Sequence, residues 1–228
     1  LSPRFALLFD LDGTLADTDP LHLRAFQAVL RRPGLTIDGD FYRRRMAGRP
    51  NAVIVAEALP DAPEEERKAV VRAKEDFVRA HLDEVRAVPG AADFLRWARE
   101  GGMARALVTT SPRDSVEAVL ESIGLAGLLD FLVTGEDVER NKPDPQPYLR
   151  ALERLGLPPG DAVAFEDSRS GLASARAAGI ATAGLLTSRG EAEMRGEGAA
   201  LTVADFRDEG LRRWILRRLP GSSPGEAP

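Results

Sequence analysis

Five short runs rich in Leu, Val and Ala, at residues 5–9, 104–108, 131–133, 162–165 and 180–186, recur along the chain, and each is followed by a longer segment with helical spacing. That alternation argues for βαβ units, and so for an α/β fold built on a doubly wound parallel sheet covered on both faces. Gly and Pro punctuate it where helices should stop or strands begin, at Gly101-Gly102, Gly124, Gly156 with Pro158-Pro159, and Gly179.

The alternation breaks once. Between Thr18 and about Val88 the spacing is helical throughout, with no apolar run that resembles a buried strand. An all-helical insertion after the first strand is therefore expected: core in 1–16 and 88–218, helical layer in 17–87. A small, polar, proline-rich tail at 219–228 is expected to be disordered. Thr18 is placed to cap the first inserted helix, with Asp19 and Pro20 in its first turn and Leu21, Leu23, Phe26, Val29 and Leu30 on its apolar face. Val53, Ile54, Ala56 and Leu59 belong to another helix, and Val70, Val71, Phe77, Val78 and Leu82 to a third or fourth. The charged stretches Arg43-Arg44-Arg45 and 64–68 read as solvated helix faces.

Composition excludes several functions. Lys and Arg total 31 against 36 Asp and Glu, a net charge of −5, so no strongly basic face is implied and nucleic acid is not an expected partner. The absence of cysteine removes disulfides, thiolate zinc sites and a cysteine nucleophile together. The opening apolar run is too short for a signal peptide, and no stretch approaches the ~18 apolar residues of a membrane span. The expectation is a soluble, cytoplasmic, monomeric protein.

Chemistry is concentrated where strands should end. Phe9-Asp10-Leu11-Asp12-Gly13-Thr14-Leu15 closes the first strand, and ligands of parallel sheets bind beyond the carboxyl ends of strands. Two acids there repel each other unless a cation or shared proton intervenes. Thr109-Thr110-Ser111 follows the second run and offers hydroxyls and amides to phosphoryl oxygens, while Ser111 also suits a helix cap before Pro112. Lys142 stands in a loop stiffened by Pro143 and Pro145. Glu166-Asp167 ends the fourth run, and adjacent carboxylates suit Mg²⁺, which takes one or two of them beside waters and phosphate oxygens.

Read in order, FDLDGTLADT, LVTTS, NKPDP and FEDSRSG resemble the haloacid dehalogenase-like phosphatase superfamily over nearly the whole chain, and the insertion is similar to its small α-helical cap. The resemblance implies Asp10 as nucleophile and Asp12 as general acid and base. It implies Mg²⁺ held by Asp10, the carbonyl of Asp12 and Asp167, with Glu166 supporting the ion directly or through water. Thr109 would bind the phosphoryl group through its hydroxyl and Thr110 through its amide, and Lys142 would neutralise charge between Asp10 and the phosphoryl oxygens. Burial and acidic neighbours are expected to raise the pKa of Asp12.

The substrate implied is a small phosphorylated metabolite, a sugar or polyol phosphate. Specificity is expected from the cap, where Arg49 and Asn51 could reach hydroxyls of the leaving group. His22 either does the same or is a partly buried helix residue held by a neighbour. Arg113 either holds the far end of the substrate or covers a helix N-terminus. A receiver-type signalling module, which draws its acids from different strands and has no cap, is one alternative. Dehalogenation is counted against by Asp12 and by Glu166-Asp167. A β-phosphoglucomutase-type mutase shares every core residue. Hydrolysis is preferred because Arg49 is the only cation in 47–51, and Ala47 stands where the resemblance implies a mutase Lys.

Overall fold

The computed structural model describes residues 3–31 and 34–221. The first strand, β1 (Ala6–Phe9), is followed by a two-residue strand β2 (Ala16–Asp17). Four helices come next, α1 (Asp19–Val29), α2 (Gly39–Arg45), α3 (Asn51–Ala58) and α4 (Glu64–Ala80), and then a two-residue strand β3 (Arg86–Ala87). Helices and strands alternate from there: α5 (Ala91–Glu100), β4 (Ala104–Val108), α6 (Arg113–Ser122), β5 (Phe131–Val133), α7 (Gln146–Leu155) and β6 (Ala162–Glu166). The chain continues through α8 (Arg169–Ala177), β7 (Ala181–Leu185), α9 (Glu191–Gly196), β8 (Leu201–Val203) and α10 (Glu209–Leu216).

Six strands form one parallel sheet in the order β5-β4-β1-β6-β7-β8, the α/β arrangement expected from the apolar runs. Successive side chains of a strand point to opposite faces. Leu7 and Phe9 therefore join Leu107, Val163 and Phe165 in the core under α5 and α10, while Ala6 and Leu8 join Ala106, Val108 and Ala164 in the core under α7 and α8. Both faces are dry, which is why the strands read as continuous apolar runs. β8 had no counterpart among those runs, because Leu201-Thr202-Val203 is three residues long and broken by a Thr.

β2 and β3 pair antiparallel, with Asp17 opposite Arg86, so the chain leaves and re-enters the sheet domain side by side. The four helices between them have their own apolar core of Phe26, Leu30, Ile37, Tyr42, Met46, Ile54 and Val55. Arg43, Arg44 and Arg45 are exposed, as are Glu64, Glu65 and Glu66. Thr18 does not cap α1: its backbone is helical and its hydroxyl is committed to Asp12 instead. Of the tail expected from residue 219, Leu219 packs against the first core, and 222–228 lie outside the described residues. Among the described residues no helix is long and apolar enough to cross a membrane.

Candidate active site

The sheet order reverses at β1, which has β4 on one side and β6 on the other, and the crevice beyond such a reversal is where open α/β sheets take ligands. Phe9 and Phe165 are register partners whose rings stack at 4.6 Å, with Phe94 and Phe206 packed around them. This aromatic floor fixes the two strand ends, so Asp10 and Glu166, one residue further on, emerge side by side. The Asp10 amide prolongs the ladder by donating to the Phe165 carbonyl at 3.0 Å.

Lys142, 4% exposed, rises from the β5–α7 loop between them. Its three donors meet three acceptors: Asp10 Oδ1 at 2.7 Å, the Val108 carbonyl at 2.7 Å and Glu166 Oε1 at 2.6 Å. Burial works against the ammonium, but the attraction of Asp10 and Glu166 outweighs it and binds the proton more tightly than in a free lysine. Glu166 also accepts from the Tyr148 hydroxyl at 2.6 Å, and Ser168 Oγ lies 3.3 Å from its other oxygen. Asp10 Oδ2 carries no hydrogen bond among the described residues, and Asp10 lines the cleft.

Asp12 is held by three groups. Thr18 donates to Oδ1 at 2.6 Å, His22 Nε2 lies 3.1 Å from the same oxygen, and Ser111 donates to Oδ2 at 3.0 Å. Burial pushes this carboxyl up, but the attraction and hydrogen bond of His22 and the bond from Thr18 outweigh it, leaving Asp12 well below the usual carboxylate range. The expected upward shift is thus reversed. Local sequence shows the acidic neighbours, but it does not show that a cap histidine folds back onto the group. Ser111 likewise spends its hydroxyl on Asp12 and not on capping α6.

Asp10, Glu166 and Asp167 each offer a carboxylate oxygen within 4.8 Å of the others, a spacing that one cation could bridge. Burial pushes Asp10 up to about 8, against the pull of Lys142 and with repulsion from Glu166 and Asp12. It also pushes Asp167 well above the carboxylate range, helped by Asp10, Asp19 and Glu166. Three carboxyls against one ammonium is a deficit of positive charge that a divalent ion fits. Asp10 and Asp167 have oxygens to give it, whereas Glu166 is largely taken up by Lys142 and Tyr148. Gly13, at φ 74°, lets Asp167 approach the turn after Asp12, because a Cβ there would overlap the Asp167 carboxylate.

The helical layer roofs the cleft. Thr109, Thr110, His22, Arg49 and Asn51 all line it together with Asp10, Asp12, Lys142 and Asp167. Arg49 is paired with Glu57 at 2.5 Å and Asn51 donates to Glu75. Arg113 is not among the lining residues: its guanidinium is held by Asp137 at 2.8 Å. Two lining residues, Tyr42 and Lys74, had no sequence signal. Lys74, 2% exposed on α4, faces the cleft beneath the Phe26 ring and pairs with Glu75 at 3.2 Å. A lysine inside a charged amphipathic helix reads as solvated, and only tertiary packing turns it inward.

The sequence model of the haloacid dehalogenase-like hydrolases matches residues 7–185, which take in Asp10, Asp12, Lys142 and the Glu166-Asp167 pair. The chain belongs to the haloacid dehalogenase-like hydrolases. Within them it is similar to protein CbbY of Rhodobacter capsulatus, 36% identical over 188 residues that cover 77% of this chain and 82% of that one. It is also similar to the phosphorylated carbohydrates phosphatase of Thermotoga maritima, 35% identical over 179 residues covering 77% and 82%. Among solved structures it resembles a CbbY variant of Rhodobacter sphaeroides in complex with xylulose-(1,5)bisphosphate, with a TM-score of 0.79, 30% identity and coverage of 91% of this chain and 96% of that one. The phosphatases among these relatives place this haloacid dehalogenase-like hydrolase with the phosphoric monoester hydrolases.

Proposed function

We propose that the chain hydrolyses phosphate monoesters of small sugars or polyols, passing the phosphoryl group first to Asp10 and then to water. The observation that carries this reading is the division of labour at Asp10. Lys142 grips Oδ1 at 2.7 Å while Oδ2 carries no hydrogen bond among the described residues, and Thr109 and Thr110 line the same cleft as Asp10. Asp10 Oδ2 attacks phosphorus, the P–O bond to the sugar breaks, and the leaving oxygen takes a proton from Asp12. Water then attacks the aspartyl phosphate, Asp12 takes its proton, and inorganic phosphate leaves. The proton that Asp12 takes from the attacking water is the one it gives to the next leaving group, and it must hold that proton against the downward pull of His22 and Thr18 on its pKa.

Mg²⁺ on Asp10, Asp167 and the carbonyl of Asp12 would supply positive charge opposite the phosphoryl oxygens. The protein's own part is to hold the nucleophile in line, screen it with Lys142 and exclude water under the cap. Lys74, Asn51 and Arg49 would meet the sugar end.

The mutase reading rests on cap cations, and Lys74 adds one to the Arg49 counted from sequence. Both are already paired with cap carboxylates, Glu75 and Glu57, which favours a neutral hydroxylated leaving group over a second phosphate. The deciding experiment is phosphate release with Mg²⁺ from sugar, polyol and two-carbon acid phosphates. Continuous release without a bisphosphate activator is expected. Conversion of β-glucose 1-phosphate to glucose 6-phosphate with negligible phosphate release would overturn the hydrolase reading.

A further inference from the structure

Two cap side chains that face the cleft share one acceptor. Asn51 Nδ2 and Lys74 Nζ both donate to Glu75 Oε1, the lysine at 3.2 Å. The other oxygen of the same carboxylate, Oε2, accepts from Ser115 Oγ at 3.1 Å. Glu75 is on α4 of the helical layer and Ser115 on α6 of the sheet domain, so a single carboxylate bridges the two. Neither residue lines the cleft.

A buried ammonium depends on its counter-ion, and the Lys74 side chain is only 3% exposed. Its orientation therefore follows Glu75. Glu75 in turn has its full complement of partners only while α4 rests against α6, since lifting the cap would exchange the Ser115 hydroxyl for water. We infer that Glu75 is a positioning residue that makes the cleft-facing arrangement of Lys74 and Asn51 conditional on contact between the cap and α6. The kinetic half of this inference rests on the phosphatase reading above, and the conformational half does not.

Two variants test it. Glu75→Gln keeps the shape and removes the charge, while Ser115→Ala removes only the partner across the gap and touches neither Lys74 nor Asn51. Each should lower kcat/KM for a sugar phosphate about tenfold, chiefly through KM, because one hydrogen bond to a charged group is lost. Turnover of p-nitrophenyl phosphate, whose leaving group has no hydroxyls for the cap, should stay within about twofold, and the double variant should be no worse than Glu75→Gln alone. Hydrogen exchange supplies the readout that needs no activity: amides along α4 should exchange faster in Ser115→Ala, although the substitution lies on the other element. Equal losses on both substrates, additive losses in the double variant, or unchanged α4 protection would each overturn the inference. If the parent protein hydrolyses neither compound, the phosphatase reading fails and the exchange comparison alone decides this one.

Discussion

His22 Nε2 lies 3.1 Å from Asp12 Oδ1, so the first cap helix touches the carboxyl proposed to exchange protons with the leaving group and the attacking water. Removing the ring, as in His22→Ala, leaves burial less opposed, and the Asp12 pKa should rise. Less of it is then ionised at a given pH, so the acidic limb of the kcat profile should move to higher pH. A profile that keeps its acidic limb would show that Asp12 is not controlled from the cap.

Asp10→Asn replaces the proposed nucleophile by a near-isostere that cannot form an acyl phosphate. Turnover should fall by roughly 10⁴-fold or more, while circular dichroism stays that of the parent. The metal-free variant should melt no lower, because the substitution removes one member of a crowded carboxyl cluster. Preserved turnover would rule out Asp10 as the attacking group.

An unfolded aspartate releases its proton near 3.8, whereas the buried Asp10 keeps it to about 8. Between those values the folded chain binds more protons than the unfolded one, so this group's contribution to stability falls as pH rises across the interval. A divalent ion replaces the charge that the proton had supplied. Mg²⁺ should therefore raise Tm more at about pH 8 than at about pH 5, as scanning calorimetry at both values would reveal. Equal increments would argue against competition between ion and proton at this cluster.

Gly171 sits in the first turn of α8 with the Glu166 carboxylate against its Cα, and a Cβ there would overlap that group. By helix propensity alone Gly171→Ala would stabilise by about 1 kcal/mol. The overlap should outweigh this gain, displacing Glu166 from Lys142 and Tyr148. A lower denaturation midpoint and weaker Mg²⁺ binding by calorimetric titration are expected. A stabilised variant would mean that Glu166 has room to move.

Tyr148→Phe is the complementary probe on the other side of Glu166. It removes a fully buried donor at 2.6 Å and leaves the carboxylate short of a partner, a loss of about 1–3 kcal/mol in unfolding free energy. A change below the error of urea denaturation would show that Lys142 and Ser168 satisfy Glu166 without the tyrosine.

The sheet and its polar strand ends were legible because each is a local pattern: an apolar run, then acids, hydroxyls or a lysine within a few residues. The expected runs at 104–108 and 131–133 coincide with β4 and β5. What escaped depends on distant packing. Lys74 and Tyr148 lie on amphipathic helices whose inward faces are set only when α4 and α7 dock, and nothing near them in sequence marks a charged partner. Ser188, which bonds to Asp167 and Asp19, follows β7 in a stretch without any motif. Thr18 and Ser111 do not cap helices, for a related reason. Thr18 stands at the N-cap position of α1 and Ser111 one residue before that of α6, and each hydroxyl donates to the half-buried Asp12 carboxylate, a charged and therefore strong acceptor.

Asp17 and Arg86 face each other across the short ribbon of β2 and β3, and the Val88 amide donates to the Leu15 carbonyl at 2.9 Å just outside it. To the sheet, everything between those residues is a detour that begins and ends at one spot. The entropy of closing a loop lies in bringing its ends together, and the ribbon does so whatever the detour contains. A different helical module spliced between the same two residues would leave Asp10, Lys142 and Glu166 in place and would rewrite the ceiling above them, the Thr18 and His22 side chains that touch Asp12 and the Asp19 charge beside Asp167. On the proposed function, the ceiling that selects the substrate is transplantable, and the carboxylates and lysine beneath it stay with the recipient.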